Sequence, residues 1–289
     1  MRFAFIEIHR EEFPVVRMCA LLGVSVSGYY AWRRRTPSAL AQANQALLVK
    51  IRKIHRNSSK TYGSPRIHAV LRRQGVQCSQ NRVARLMSQH QIYARRKRHR
   101  KFTTQSQHGY PKAPNILAQN FEAQAPNQKW VSDISYVATE EGWLYLAVIM
   151  DLFSRRIVGW AMDRTLSDEL TRSALRMALE QRKPKLGLLH HSDQGRQYAS
   201  LAYRQLLAAY KIMVSMSRKG NCYDNAPIES FFSTLKNEHI HFQKYQTRTE
   251  AKTDVFVYIE GFYNRQRLHS SLGYWSPVQF EQNYLNLLN

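Results

Sequence analysis

The sequence predicts two unlike parts. Residues 1–102 read as an all-α, strongly basic region, and residues 126–289 as an α/β domain whose mixed sheet is covered on both faces by helices. A linker at 103–125 joins them. Three observations lead there. The formal net charge is +23, and residues 1–120 hold 23 Lys/Arg against 3 acids, whereas 121–289 hold 20 against 17. Apolar residues recur at helical spacing, broken by glycine turns, up to about residue 92. After residue 125 the texture changes to an alternation ordered β-β-β-α-β-α-β-α, the pattern of a layered α/β sheet.

The basic region opens with "FPVVRMCALLGVSVSGYYAWRRR" (13–35). Val16, Cys19 and Ala20 mark an apolar helical face, Gly23 stands where a helix ends, and Ser25 or Ser27 offers an N-cap to a second helix. That second helix ends in Arg33, Arg34 and Arg35. Helix, tight turn and basic helix is the arrangement of helix-turn-helix DNA readers. A second such unit follows. "LAQANQALLVKIRKIHRNS" places Leu47, Leu48, Ile51 and Ile54 on one face, and "SPRIHAVLRRQGVQCSQNRVARLMSQHQI" reads as helix, turn at Gly75, helix. Val83, Leu86 and Met87 form its stripe, leaving Arg82 and Arg85 to face outward. Arg66 joins them as a candidate phosphate ligand. "YARRKRHRK" (93–101), with Arg95, Arg96, Lys97 and Arg98, reads as a connector that follows a phosphate backbone.

No acid occurs between Glu12 and Glu122. A face so one-sided repels itself without a polyanion, and nucleic acid is the partner it fits. An anionic membrane fits less well, since no long amphipathic helix with a bulky apolar face is present. "WLYLAVIM" (143–150) is too short for a span. The first residues lack the apolar core of a secretory signal. Three cysteines without a CxxC pair argue against a disulfide framework or zinc module and favour a reducing cytoplasm.

In the second part "QKWVSDISYVAT" alternates as a strand, with Val131, Asp133, Ser135 and Val137 on one face and Trp130, Ile134 and Tyr136 on the other. "GWLYLAVIMDLFS" and "RRIVGWAMD" extend it into an antiparallel meander. "SDELTRSALRMALEQR" (167–182) is acidic at its start and basic at its end, as a helix prefers. "KLGLLHHSDQG" is a short buried strand ending at Asp193, followed by a helix at 201–210 and a strand at 211–217.

A mid-strand aspartate is costly unless paired, so Asp133 needs a reason. Asp193 ends a buried strand, where α/β sheets place ligands. Alone it reads equally well as a turn cap before Gly195. Together the two would repel each other unless a divalent cation lies between them, and carboxylates suit Mg²⁺. In "SMSRKGNCYDNAPIESFFSTLKNE" (215–238), Ile228, Phe231, Phe232 and Leu235 line the buried face of a helix. Glu229, Ser233 and Lys236 fall on its margin. Asp224 reads as the N-cap and Glu238 as solvated. His190 and His191, on opposite strand faces, read as packing or hydrogen-bonded groups, and Asp151 either as a partner of Arg155 or Arg156 or as a residue lining the cleft. "YNRQRLHSSLGYWSP" (263–277), with Arg265, Arg267 and His269, reads either as a DNA contact or as a structured helix end.

These stretches resemble a known family. Thirty-five residues separate Asp193 from Glu229, and Lys236 follows seven residues later. That spacing is similar to the D…D-35-E triad of retroviral integrases and insertion-sequence transposases. "WVSDISYV", "YLAVIMDLFSRRIVGWAM", "HHSDQGRQYAS", the 215–238 segment and "YIEGFYNRQRLHSSLGYWSP" resemble the second-reading-frame (orfB-type) insertion-sequence transposases, as do "MCALLGVSVSGYYAWRRR" and "YGSPRIHAVLRR" upstream. Ser135 and Gln194 depart from the threonine and arginine expected there.

The resemblance implies an RNase H-like five-stranded mixed sheet, and cleavage at transposon ends followed by DNA strand transfer. It implies Asp133, Asp193 and Glu229 as ligands of two Mg²⁺ (or Mn²⁺) ions, and Lys236 as a contact to terminal DNA phosphates. The partners it implies are double-stranded DNA (transposon ends and target), further copies of the chain in a homo-oligomer, and an upstream reading-frame protein or fusion, with no membrane. The setting is the bacterial cytoplasm, on the nucleoid. A nuclease of the same fold, or a DNA-binding regulator, are the competing expectations.

Overall fold

The computed structural model describes residues 1–95, 112–218 and 221–288. Arg96, Lys97 and Arg98 lie outside them. The first unit is built from α1 (Arg2–His9), α2 (Val15–Leu21) and α3 (Val26–Arg34), and α2 and α3 meet at 113°. Gly23 supplies the left-handed backbone between them at φ +60°, which costs a glycine nothing. Ser25, not Ser27, caps α3, its hydroxyl accepting from Gly28 N at 3.0 Å. The expected apolar face of α2 is only partly right. Cys19 is buried but Val16 is 66% exposed, and Met18 points inward instead. The cause is α1, whose Ile6 completes a core with Met18, Cys19 and Tyr29.

The second unit comprises α4 (Ala39–Asn57), α5 (Ser64–Arg73) and α6 (Gln80–Gln89). Leu47, Leu48, Ile51, Ile54, Val83, Leu86 and Met87 are all buried, and Gly75 makes its turn at φ +73°. Its core does not close on itself, because Leu268 belongs to the same cluster, with Phe262 and Tyr274 packed against it. The Tyr62 hydroxyl donates to Gln266 O and accepts from Leu268 N, both at 2.9 Å. No single helix among the described residues is long and apolar enough to cross a membrane.

The sheet holds β1 (Lys129–Thr139), β2 (Gly142–Asp151), β3 (Ile157–Asp163), β4 (Leu189–Ser192) and β5 (Met213–Met216) in the spatial order β3-β2-β1-β4-β5. β1, β2 and β3 pair antiparallel, while β4 runs parallel to β1 and β5 to β4. Helices α7 (Asp168–Arg182), α8 (Arg196–Ala199) and α9 (Leu201–Ala209) cover one face, burying Trp130 and Leu175. On the other face α10 (Ala226–Glu238) and α11 (Arg248–Phe256) enclose Val131 and Val137. The alternation read along β1 is therefore the alternation of its two cores. α12 (Pro277–Leu288) closes the chain. Part of the stretch read as linker lies against β5: Ile116 N and Leu117 N donate to Ser215 Oγ at 2.9 and 3.1 Å, and Leu117 is buried.

The Asp151 carboxylate does not pair with Arg155 or Arg156, although its backbone N–H donates to Arg156 O at 2.9 Å. Fully buried at the end of β2, it accepts from Asn127 N and Phe153 N and meets Arg182 at 3.3 Å, and burial pushes its carboxyl up to about 6. Arg156 is drawn instead to Glu281 of α12, at 2.8 Å.

Gly159 explains how closely α7 approaches β3. A Cβ there would lie 2.3 Å from Ala174 O and 2.7 Å from Ala178 Cβ. Gly159→Ala is expected to lift α7 off the sheet and cost about 1–3 kcal/mol or more, as overpacking does. Urea unfolding of the two proteins measures it, and an unchanged midpoint would show that α7 yields freely.

Candidate active site

β4 is only four residues long and pairs with β1 through Ser132↔Ser192. Asp133 and Asp193 are the next residue on each strand, so they emerge side by side where the parallel pair ends. Beyond this point β1 has no neighbour on that side, which leaves a notch in the sheet. The Asp193 carboxylate is turned back by Gly195 N, donating to Oδ1 at 2.8 Å. A Cβ on Gly195 would sit 2.8 Å from that oxygen and would displace the carboxylate from its present place.

α10 carries the third acid along β1. Near its start Asn225 Nδ2 donates to Ser132 O at 3.2 Å, and towards its end Lys236 Nζ lies over the Tyr136 ring, 4.4 Å from the centroid. The helix thus runs in the direction of β1 and brings Glu229 past Asp133. Ile228, Phe231, Phe232 and Leu235 are buried and fix this phase, while Glu229, Ser233 and Lys236 keep to the margin.

The electrostatics record the convergence. The Asp133 carboxyl is held well above the ordinary carboxylate range, first by burial, then by Asp193 and, more weakly, by Glu229; Ile134 N–H and Lys236 oppose this. Burial lowers the Lys236 ammonium, against the pull of Asp133. Under this anionic load a divalent cation would be stabilising, and an all-carboxylate donor set fits a hard ion. Among the described residues, however, no three His, Cys, Asp or Glu side chains form a ready-made cage. Asp193 and Glu229 both act on Asp133 without the three forming such a cage.

The other acids of the 215–238 segment differ from their sequence reading. Asp224 does not cap α10. It is fully buried in the turn before the helix and accepts from Arg218 (N, Nε and Nη2), Asn115 and Gln119, which holds its carboxyl far below the ordinary range. Asn225 occupies the cap position without a side-chain bond. Glu238 is not solvated. It receives Arg267 through two bonds of 2.8 and 2.7 Å and lies 3.5 Å from Arg66. His190 and His191 do point apart, to Tyr203 Oη at 3.0 Å and Ser215 Oγ at 2.8 Å.

The basic candidates separate likewise. Arg34, Arg35 and Arg85 are exposed. Arg33 meets Glu7 at 3.5 Å, Arg82 donates to Asn44, and Arg95 lies 3.6 Å above the Phe242 ring. Arg66 donates to Leu268 O at 3.0 Å besides facing Glu238, so it ties α5 to the sheet domain. Sequence periodicity cannot reveal such pairings, because each partner lies far along the chain.

In 263–277 the structured-turn reading describes Arg267 and His269, since Arg267 is 4% exposed and His269 bridges to Trp275. Burial, then Arg267 and other arginines, lower His269 to about 2 from its ordinary 6.5. A histidine depressed on folding contributes stability that is present above the unfolded value and lost as pH falls below it. Between pH 7.5 and 5.5 the stability advantage of wild type over His269→Gln should shrink by about 1.4 kcal/mol, one unit below the ordinary value. Denaturant unfolding at both pH values checks this; a constant difference would mean that His269 charges freely.

The sheet order, with acids at the β1–β4 junction and a third on α10 after β5, defines the integrase core class. Two family models described as Integrase core domain match residues 123–222 and 229–285, and one described as HTH-like domain matches 42–100. The transposase InsF of insertion sequence IS3A from Escherichia coli K12 is 43% identical over 289 residues, covering 99% of this chain and 100% of that protein. The "insertion element IS600 uncharacterized 31 kDa protein" of Shigella sonnei is 46% identical over 267 residues, covering 92% and 98%. The chain belongs to the IS3 family of insertion-sequence transposases. Among solved structures, the simian T-cell lymphotropic virus intasome in complex with PP2A regulatory subunit B56 gamma aligns at TM-score 0.47 and 13% identity, covering 80% of this chain and 74% of that one. The HTLV-2 integrase catalytic core domain in complex with magnesium aligns at TM-score 0.44 and 16% identity, covering 55% and 99%.

Proposed function

We propose that the chain is a DDE transposase that cleaves DNA at transposon ends and joins the freed 3′-OH to a target strand. The observation that carries this reading is the placement of Asp133 and Asp193 side by side at the open end of the β1–β4 pair, with Glu229 brought past them on α10 so that both neighbours hold the Asp133 carboxyl up. Asp133, Asp193 and Glu229 would hold two Mg²⁺ (or Mn²⁺) ions. When bound, such ions activate the attacking oxygen and stabilise the leaving one in phosphoryl transfer. The chain's own part is positional. α10 holds Glu229 in register with β1, Gly195 turns back Asp193, and Lys236 offers a cation at the rim of the notch to a DNA phosphate.

Residues 1–102 bind the duplex and 126–289 carry the chemistry, with 103–125 between them. Arg34, Arg35 and Arg85, exposed on the helical units, serve as phosphate ligands, joined by Arg96, Lys97 and Arg98 of the connector. The chain works in the bacterial cytoplasm on the nucleoid, as a homo-oligomer that pairs two ends, with or without an upstream reading-frame partner.

The test is incubation of the purified chain with Mg²⁺ and end-labelled DNA carrying the element's terminus. Nicked product plus strand-joined product is expected, and neither in EDTA. Nicks that never proceed to joined product would leave a nuclease in place of a transposase.

A further inference from the structure

The notch has a rim whose two aromatic side chains serve neither core. Tyr136 is 39% exposed and Trp143 is 50% exposed. They are diagonal neighbours on the face of the sheet opposite that of Asp133, Tyr136 paired with Tyr145 and Trp143 with Ala138. Their rings meet edge to face, with centroids 4.8 Å apart and planes at 76°. From α10 on the Asp133 side, Lys236 Nζ reaches past the open edge of β1 to lie 4.4 Å from the Tyr136 centroid, so the cation links the acid cluster to the row of phenol and indole on the other face. A strand rises about 3.3 Å per residue, which puts Tyr136 roughly 10 Å and Trp143 roughly 17 Å from Asp133 along the sheet.

The hairpin bearing this row is clamped. Arg248 donates from N to Glu141 Oε2 at 2.8 Å and from Nε to Trp143 O at 3.0 Å. Glu140 N donates to Tyr245 O at 3.0 Å, and Thr139 Oγ1 to Gly142 O at 2.7 Å. Fixed by these bonds, the turn does not depend on the indole to hold its shape, and the ring is presented on a rigid support.

We infer that Trp143, backed by Tyr136, is a stacking platform for an unpaired nucleobase of the DNA strand that passes the acid cluster. This rests on the proposed DNA strand cleavage. Aromatic faces accept any base, and a cation beside them grips the neighbouring phosphate, which is how single strands are held without sequence reading. Two rings are far too small for a stable protein interface, which needs about 800 Å² per partner. Of the charges around the row, Glu141 is engaged by Arg248 and Glu140 sits in the turn, while Lys236 lies directly over Tyr136 and offers the cation for a phosphodiester. The base reached lies a few nucleotides from the scissile phosphate, so the platform would hold the end frayed while its backbone lies at Asp133.

The full chain is tested in EDTA, so that binding is read without cleavage. The probes are an oligothymidylate about 12 nucleotides long, within the site size of single-strand binders, and an abasic tetrahydrofuran oligomer of equal length and charge. Wild type should prefer the base-bearing strand. Trp143→Ala should weaken oligothymidylate about tenfold and leave the abasic strand unchanged, while Trp143→Phe keeps most of the preference. Lys236→Ala should weaken both strands alike. A base preference that survives Trp143→Ala overturns the platform, as does an equal loss on both strands. A change of oligomeric state in Trp143→Ala without loss of base preference makes the row a protein contact and overturns it too. Intact base preference in a chain that never cleaves transposon-end DNA would count against the transposase reading alone.

Discussion

Glu229→Gln should abolish DNA cleavage while the protein still folds and still binds DNA. The substitution keeps the side chain's length and shape and removes only its charge. Ile228, Phe231, Phe232 and Leu235, all at most 6% exposed, hold α10 in place independently of residue 229. The phosphate ligands proposed on the helical units lie on other elements. What is lost is one of three carboxylates proposed to hold the ions, and a loss of at least about a thousandfold, roughly 4 kcal/mol of transition-state stabilisation, is expected. The measurement is a single-turnover assay on end-labelled DNA in Mg²⁺, with a gel-shift titration alongside. Asp133→Asn should behave in the same way. Retention of even a few per cent of wild-type cleavage by Glu229→Gln would remove Glu229 from the catalytic set.

The site was legible in the sequence where it depended on local rules. Alternation placed Asp133 mid-strand, strand length placed Asp193 at an end, and helical phase put Glu229 on the margin of a buried stripe. Helices α2 to α6 were legible for the same reason, since glycine turns and a 3.6-residue period are properties of a short window, whereas α1 was not read. Misreadings occurred where the deciding partner lies far away in the chain. Asp224 has the spacing of an N-cap, but Asn115 and Gln119, more than a hundred residues upstream, help draw it into a buried cluster. Asp151 found Arg182 rather than its neighbours Arg155 and Arg156 because α7 returns across the sheet. Tyr136 and Trp143 carried a signal that went unused. Both sit in strands otherwise rich in buried apolar residues, and alternation alone does not show which end of a sheet face the helices leave open.

Glu238 gives the largest expected loss of stability. Its side chain is 13% exposed, and it lies between Arg267, which is 5% exposed, and Arg66, which is 24% exposed. Burial and Arg267 both lower the Arg66 guanidinium, so the two cations disfavour each other and depend on the carboxylate between them. Removing one member of a buried ionic cluster leaves uncompensated charge, at about 3–5 kcal/mol. Glu238→Ala should therefore destabilise the chain by about that much, far more than loss of an exposed pair, which is worth about 0–1 kcal/mol. Glu238→Gln should recover part of the loss through hydrogen bonding, but not the charge. The damage should fall on one seam, because Arg66 belongs to α5 and Arg267 to the segment whose Leu268 completes the core of α4, α5 and α6. Limited proteolysis should then release the helical region before the sheet domain unfolds. A Glu238→Ala protein with wild-type unfolding and wild-type protease resistance would mean that the seam is held by Leu268 and Tyr62 alone. Glu229 and Glu238 thus predict opposite phenotypes from two turns of one helix. Loss of the first should silence a stable protein, and loss of the second should loosen a chain whose folded molecules still cut DNA.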